Sequence, residues 1–121
     1  MNDKLILIAD DAAFMRKMIR STLASAGYTR FIEAPNGAEA VRRFAAENPD
    51  LVFMDVTMPE MDGLEALKRI IAIDPGARVI MCSAIGQDAT IMEAVRSGAS
   101  EFIVKPFKKE QLIEMVMCLL G

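Results

Sequence analysis

The feature that most constrains the fold is a series of short apolar runs that each stop at a polar residue. Four runs have this form: residues 5–9 before Asp10 and Asp11, 51–54 before Asp55, 79–82 before Ser83, and 102–104 before Lys105. Runs of this length between stretches of helical periodicity are typical of strands buried on both faces of a parallel sheet. Because parallel strands deliver their carboxyl ends to the same edge, we expect these carboxylates, the hydroxyl and the amine to meet there.

Strand and helix patterns alternate five times along the chain. Residues 31–34 form a further short strand pattern, and helical spacing of apolar residues is found in the stretches 13–26, 38–47, from 64 onward, 87–97 and from 108 onward. The apolar stripe of the first helix includes Phe14, and Gly27 closes this helix as a C-cap would. Since the connections are short, the crossovers should be right-handed and helices should cover both faces of the sheet. The pattern predicts one α/β domain over residues 1–121.

The composition argues against several classes of function. A net charge of -3 and a pI near 5.0 do not suit a general affinity for nucleic acid, which requires a basic face. The first apolar run is too short for a signal peptide or a membrane span, so we expect a cytoplasmic protein with no membrane contact. Cys82 and Cys118 lack metal-ligand spacing and are predicted to be buried small hydrophobes. The chain has no histidine, so any phosphohistidine must belong to a partner.

The residue types alone predict the chemistry of this edge. Asp10, Asp11 and Asp55 supply the hard oxygen ligands that Mg²⁺ prefers. Beside Mg²⁺ and a lysine, the Asp55 carboxylate can attack a phosphorus centre, with Lys105 neutralising the phosphoryl oxygens and Ser83 hydrogen bonding to one of them. The bond from Lys105 to the proline that follows it is a candidate cis peptide, because X-Pro bonds adopt cis at low cost.

Four segments carry a resemblance to a known family, namely residues 8–16, 54–59, 82–87 and 102–107. In this order and spacing, the chain resembles over its whole length the receiver domain of two-component response regulators, above all the single-domain regulators of chemotaxis. The resemblance implies a flavodoxin-like, doubly wound α/β fold with a five-stranded parallel sheet of order 2-1-3-4-5 flanked by five helices. It also implies that Asp55 accepts a phosphoryl group from a phosphohistidine of a sensor kinase.

The resemblance assigns further roles around Asp55. Mg²⁺ would be held by Asp11, Asp55 and the backbone carbonyl of Thr57, and by Asp10 through water. Ser83 would move toward the phosphate, and Phe102 on the fifth strand would turn inward with it. Partners would then bind the face formed by the fourth helix, the fifth strand and the fifth helix. The implied partners, besides the kinase, are a downstream target, with the flagellar switch as a candidate, and a phosphatase.

Phe102 departs from the family pattern, because it lacks the hydroxyl of the tyrosine that is often found at this position. Any outward hydrogen bond made by that hydroxyl is therefore absent, while a switch in packing remains open. The last helix also has more apolar surface than one buried stripe, since residues 115–120 are continuously apolar. We expect it to bind a partner or a second copy, giving a monomer or a weak dimer through the fifth helix.

Other classes of protein explain the residues less well. A magnesium-dependent phosphatase with an aspartate nucleophile would need an Asp-x-Asp pair, but Ala12 stands at the second aspartate position. A flavodoxin-like mononucleotide binder would need a phosphate-cradling loop where Asp10 and Asp11 repel an anion. A receiver-like scaffold that is never phosphorylated predicts the loss of an acidic or lysine position, and none is lost. The main alternatives are a receiver from a larger regulator whose output domain is absent and a stand-alone receiver outside chemotaxis.

Overall fold

A computed structural model describes residues 2–120 of the chain; the predicted domain limits, residues 1 and 121, lie outside this range. Strands and helices alternate strictly, in the order β1 (Asn2–Ala9), α1 (Ala13–Ser25), β2 (Tyr28–Ala34), α2 (Gly37–Glu47), β3 (Leu51–Asp55), α3 (Gly63–Ile73), β4 (Val79–Ala84), α4 (Asp88–Arg96), β5 (Glu101–Lys105) and α5 (Lys109–Leu120). All strand pairs are parallel, and the sheet order is β2-β1-β3-β4-β5. The predicted doubly wound α/β fold is confirmed.

The sheet is buried on both faces, which explains why its strands read as nearly continuous apolar runs. Alternate residues of a strand point to opposite faces. In β1, Leu7 and Ala9 join one core cluster with α2 and α3, while Ile6 and Ile8 join a second cluster with α1 and α5. All four of these β1 side chains are fully buried. Two apolar cores thus hold the sheet rigidly between two layers of helices.

Strand β2 begins three residues earlier than the predicted run. Tyr28 is buried, but Thr29 and Arg30 are exposed on this edge strand, so the residues between Tyr28 and Phe31 give no apolar signal. Two further expectations about exposure are wrong. Phe14 is 74% exposed although it falls within the apolar stripe of α1, and Cys118 is exposed on α5 instead of buried.

The helices that follow β2 and β3 start at polar caps on the carboxyl side of the sheet. The Asn36 side chain accepts a 2.8 Å hydrogen bond from the Glu39 amide at the start of α2. The Asp62 side chain accepts a 2.9 Å bond from the Glu65 amide at the start of α3. Such caps satisfy amide groups that have no partner inside the helix and fix where it begins. Among residues 2–120, no helix has the length and apolar character needed to cross a bilayer.

Candidate functional site

Three carboxylates converge where β1 and β3 end. Asp10 and Asp11 directly follow β1, and Asp55 is the last residue of β3, which lies next to β1 in the sheet. Each carboxylate offers an oxygen, and these three oxygens lie within 4.8 Å of one another. Asp10 is fully buried and Asp55 is 6% exposed, whereas Asp11 is exposed at the mouth of the site. The strand order therefore brings together the three aspartates that the sequence indicated.

Lys105 reaches this cluster from the end of β5. Its Nζ lies 3.2 Å from Asp10 Oδ2 and 3.3 Å from Asp55 Oδ2, so one ammonium bridges two carboxylates. The bond between Lys105 and Pro106, a candidate cis peptide from the sequence, is cis. The lysine side chain keeps about a quarter of its surface exposed, at 26%, whereas the two carboxylates are nearly enclosed. Lys105 thus compensates part of the negative charge and still faces the opening of the site.

The electrostatic state of Asp55 follows from its surroundings. Burial raises the pKa of the Asp55 carboxyl above its ordinary value, the neighbouring Asp10 charge adds to this, and Lys105 opposes it. Burial on its own would lower the pKa of Lys105, but Asp55 and Asp10 outweigh it and the pKa is raised. The lysine is therefore firmly protonated at neutral pH. For the Asp55 carboxylate, in contrast, burial and the Asp10 charge outweigh the stabilisation by Lys105.

Ser83 and Cys82 lie at the end of β4, beside β3. In the sheet register Asp55 pairs with Cys82, and Ser83 pairs with Val104. The Ser83 hydroxyl is fully buried and has no hydrogen-bond partner among the residues that the structure describes. An unsatisfied buried hydroxyl costs about 1–3 kcal/mol. The Cys82 thiol is unreactive here, because burial raises its pKa to about 12.

The loop after β3 folds tightly back over Asp55. The Val56 amide donates to the Cys82 carbonyl at 2.9 Å, and the Gly63 amide donates to the Val56 carbonyl at 2.8 Å. A Cβ atom at Gly63 would lie 2.0 Å from the backbone carbonyl oxygen of Asp55, so a side chain there would force the loop to move. Thr57 lies in this loop, exposed, two residues after Asp55.

The same loop is anchored on its outer side to the start of α2. The Gly37 amide donates to the Met61 carbonyl at 3.0 Å, and Asn36 Nδ2 donates to Glu60 Oε2 at 3.0 Å. A Cβ at Gly37 would lie 2.2 Å from the Met61 carbonyl oxygen. The glycines mark two close backbone approaches that residue types alone did not reveal, since glycine in a loop has many uses.

Two more residues at the edge were not assigned a role from the sequence. Arg16, in α1, donates from Nη1 to the backbone carbonyl of Asp10 at 2.6 Å, and its Nε pairs with Glu33 of β2 at 2.9 Å. Gln87, just before α4, hydrogen bonds across the loops that follow β3 and β4. Arg16 and Gln87 both fall inside segments that carry the family resemblance, but only their contacts show what they do.

Phe102 occupies the predicted position on β5 and is 41% exposed, so its ring lies partly on the outer surface. The same strand carries Ile103, which is buried, and Lys105, which enters the site. The structure describes the ring in this outward position. The predicted inward turn of Phe102 therefore stays a prediction.

Comparison with known proteins defines the class to which this sheet and site belong. Residues 6–117 match the family model of the response regulator receiver domain. The chain therefore belongs to the family of response regulator receiver domains.

Within that family the chain is a homologue of the chemotaxis protein CheY. It is 53% identical over 111 residues to CheY of Bacillus subtilis and 51% identical over 111 residues to CheY of Thermotoga maritima, with 92% of each chain covered in both cases. Among solved structures, a chain of the CheX-CheY-BeF3-Mg+2 complex from Borrelia burgdorferi matches with a TM-score of 0.91 and 36% identity, covering 98% of this chain and 90% of that chain.

The raised pKa of Asp55 predicts how stability depends on pH. The folded state favours the protonated Asp55 carboxyl, so ionisation of Asp55 lowers the free energy of unfolding. This loss of stability is absent below the ordinary aspartate pKa of 3.8 and grows as pH rises through the higher folded pKa. We expect Asp55→Asn to raise the free energy of unfolding of magnesium-free protein at pH 7 by on the order of 1 kcal/mol, the size of one like-charge contact near a surface.

Urea titrations of the wild type and of Asp55→Asn at pH 3.5 and pH 7, in EDTA, measure this difference. The variant's advantage should appear only at pH 7. Glu114→Gln, which neutralises an exposed carboxylate on α5, serves as the matched control and should show no such dependence. Equal stability of the wild type and Asp55→Asn at pH 7 would contradict the electrostatic account.

The close approach at Gly63 predicts a second effect. Gly63→Ala should push the loop away from the Asp55 carbonyl and lower the free energy of unfolding by about 1–3 kcal/mol, as overpacking does elsewhere. Gly76→Ala is the control, because a Cβ there meets only a flexible carboxylate at 3.4 Å. Thermal unfolding of both variants measures the difference, and equal melting temperatures would show that the loop accommodates a methyl group.

Proposed function

We propose that the protein is a phosphorylation-activated regulator of the chemotaxis type, in which Asp55 accepts a phosphoryl group from a phosphohistidine of a sensor kinase. The observation that carries this proposal is the position of Lys105 Nζ, within 3.3 Å of Asp55 Oδ2 and 3.2 Å of Asp10 Oδ2 at the carboxyl edge of the sheet. A nucleophilic carboxylate beside a fixed cation is the arrangement that phosphoryl transfer requires. Homology to CheY supports the assignment to chemotaxis and to the cytoplasm.

Asp55, Lys105 and Ser83 each have a separate role in the phosphoryl transfer. An Asp55 carboxylate oxygen forms the new P–O bond while the P–N bond to the partner's imidazole breaks, and the bonding pair stays with that nitrogen. Lys105 moves its ion pair from the carboxylate to a phosphoryl oxygen. Among the described residues the Ser83 hydroxyl has no partner to give up, so it can donate to a second phosphoryl oxygen at little cost. The chain itself has no histidine, which fits a role as acceptor and not as donor.

The donor set fits Mg²⁺. Three carboxylate oxygens within 4.8 Å of one another are hard ligands, and one ammonium against three carboxylates leaves two negative charges for a divalent cation to cancel. Asp11 and Asp55, with the backbone carbonyl of Thr57, are the residues that would hold the ion directly, and Asp10 would hold it through water. When bound, Mg²⁺ neutralises charge on the phosphoryl oxygens and brings donor and acceptor together.

Phosphorylation changes the surface that partners bind, because the phosphoryl group attracts the Ser83 hydroxyl. Movement of Ser83 toward phosphorylated Asp55 leaves space behind β4, into which Phe102 turns from the surface. The face formed by α4, β5 and α5 is thereby reshaped, and a downstream target such as the flagellar switch binds it. A phosphatase that reaches the same edge ends the signal. Phosphorylation of Asp55 thereby shifts a two-state equilibrium of the chain, and bringing such an equilibrium from 1:99 to 99:1 takes about 5.5 kcal/mol.

Helix α5 adds a surface suited to contact with a partner or a second copy. Met117 is 51% exposed and Cys118 is exposed, beside buried Val116 and Leu120. A groove of about 430 Å³ runs along this helix, lined in part by Glu101, Gln111, Met115, Cys118 and Leu119. Apolar side chains exposed next to each other are typical of contact sites. We therefore propose a monomer that forms a weak dimer through α5.

Intact mass after incubation with acetyl phosphate tests the phosphoacceptor directly. We expect a single phosphoryl adduct on the wild type that requires Mg²⁺ and is absent from Asp55→Asn. Lys105→Ala should form it about 100-fold more slowly, because the charge that develops on the phosphoryl group loses its partner. Lys109→Ala, an exposed lysine at the start of α5, is the control. An adduct that persists in Asp55→Asn would place the acceptor elsewhere.

Sedimentation velocity over a range of protein concentrations tests the α5 contact. We expect the wild type to self-associate weakly at high concentration and Met117→Glu to remain monomeric, because a charge at the centre of an apolar contact must be desolvated. Ser21→Glu, on the exposed side of α1, adds the same charge away from this helix and should behave like the wild type. Identical sedimentation of the wild type and Met117→Glu would remove α5 as the contact.

A further inference from the structure

The side chain of Gln87 joins the two loops that flank Asp55. Its Oε1 accepts a 2.7 Å hydrogen bond from the backbone amide of Ala84, at the end of β4. Its Nε2 donates to Thr57 Oγ1 at 3.2 Å, in the loop after β3. Both polar atoms of one amide are therefore used between these loops. Gln87 makes no side-chain cap to the helix α4 that it precedes, so helix capping does not explain its position.

The turn after β4 needs such a link, because the described residues give it few other restraints, whereas the loop after β3 is anchored to α2 and α3. The last backbone bond described between β3 and the end of β4 runs from the Val56 amide to the Cys82 carbonyl, at 2.9 Å. Beyond this bond, the chain turns at Gly86, which has a positive φ of 94°. The Ile85 side chain is 81% exposed, so apolar burial does not fix this turn. A segment with few buried contacts opens easily unless hydrogen bonds restrain it.

The bond to Ala84 also restrains Ser83. The Ala84 amide belongs to the same peptide unit as the Ser83 carbonyl, so holding that N–H fixes the orientation of the peptide plane that follows Ser83. In this arrangement the Ser83 hydroxyl is buried, and no group among the described residues satisfies it. A shift of the Ser83 backbone toward Asp55 would turn this peptide plane and carry the Ala84 N–H away from Gln87 Oε1. Such a movement would therefore compete with the resting hydrogen bond.

We propose that Gln87 is a positioning residue that holds the loop after β4 in its resting conformation, so that phosphorylation of Asp55 has to break its bond to Ala84. This role rests on the proposed function, since it concerns the movement of Ser83 toward a phosphoryl group. Gln87 sets how much stabilisation the phosphoryl group must supply before the loop moves. Its bond to Thr57 adds to this threshold by anchoring the amide to the opposite loop.

Gln87→Met tests the proposal, because methionine has the same length but cannot make either hydrogen bond. We expect the solvent-exchange rate of the Ala84 amide, measured by NMR without any phosphodonor, to rise in the variant. We also expect Mg²⁺-dependent binding of beryllofluoride, a phosphoryl analogue, to become about fivefold tighter, as the loss of one resting-state hydrogen bond implies. Gln111→Met makes the same chemical change on the exposed surface of α5 and should leave both quantities unchanged.

Thr57→Val separates the two bonds of Gln87, because it removes the hydroxyl that Gln87 Nε2 contacts and keeps the backbone carbonyl. We expect it to tighten beryllofluoride binding by about twofold. If the wild type binds beryllofluoride and Gln87→Met binds it equally or more weakly, Gln87 does not oppose the switch and the inference is wrong. If the wild type binds none, the proposed function fails first, and the inference fails with it.

Discussion

Three carboxylates held within 4.8 Å of one another at the carboxyl edge of the sheet are the constraint on which the rest of the structure depends. Each like-charge contact near a protein surface costs on the order of 1–4 kcal/mol, and burial of Asp10 and Asp55 adds to that cost. One ammonium, from Lys105, bridges two of the three. The fold tolerates this excess charge because two apolar cores fix the strands from both faces. The site therefore depends on packing in the two cores as well as on the ion pairs of Lys105.

This arrangement divides the molecule into a rigid support and a responsive edge. The strand register places Cys82 beside Asp55 and Val104 beside Ser83, and a slip of one residue would move the side chains of a strand into the opposite apolar core. Past the strand ends, the loops are held by individual hydrogen bonds, such as those of Gly37, Asn36 and Gln87. We therefore expect a charge added at Asp55 to act on the loops more than on the sheet.

The sequence alone predicted the sheet and the convergence of Asp10, Asp55 and Lys105, because strand ends in a parallel sheet share one edge and apolar runs show where strands end. It could not predict the start of β2, since an edge strand with exposed Thr29 and Arg30 lacks the apolar run on which the prediction depends. The exposure of Phe14 was not predicted, because the helical spacing of apolar residues does not show how wide the buried stripe of a helix is.

The sequence also did not predict contacts between segments that are distant along the chain. The close approach of Gly63 to the Asp55 carbonyl and the bridge made by Gln87 depend on how two loops face each other, which no local pattern encodes. The two cysteines differ in exposure, which likewise depends on how distant segments pack together. The Cys82 thiol is enclosed beside Asp55 with a pKa of about 12, while Cys118 is exposed on α5. A thiol-directed label will therefore modify the native chain at one place, which gives a spectroscopic probe on the α5 surface without any engineered substitution.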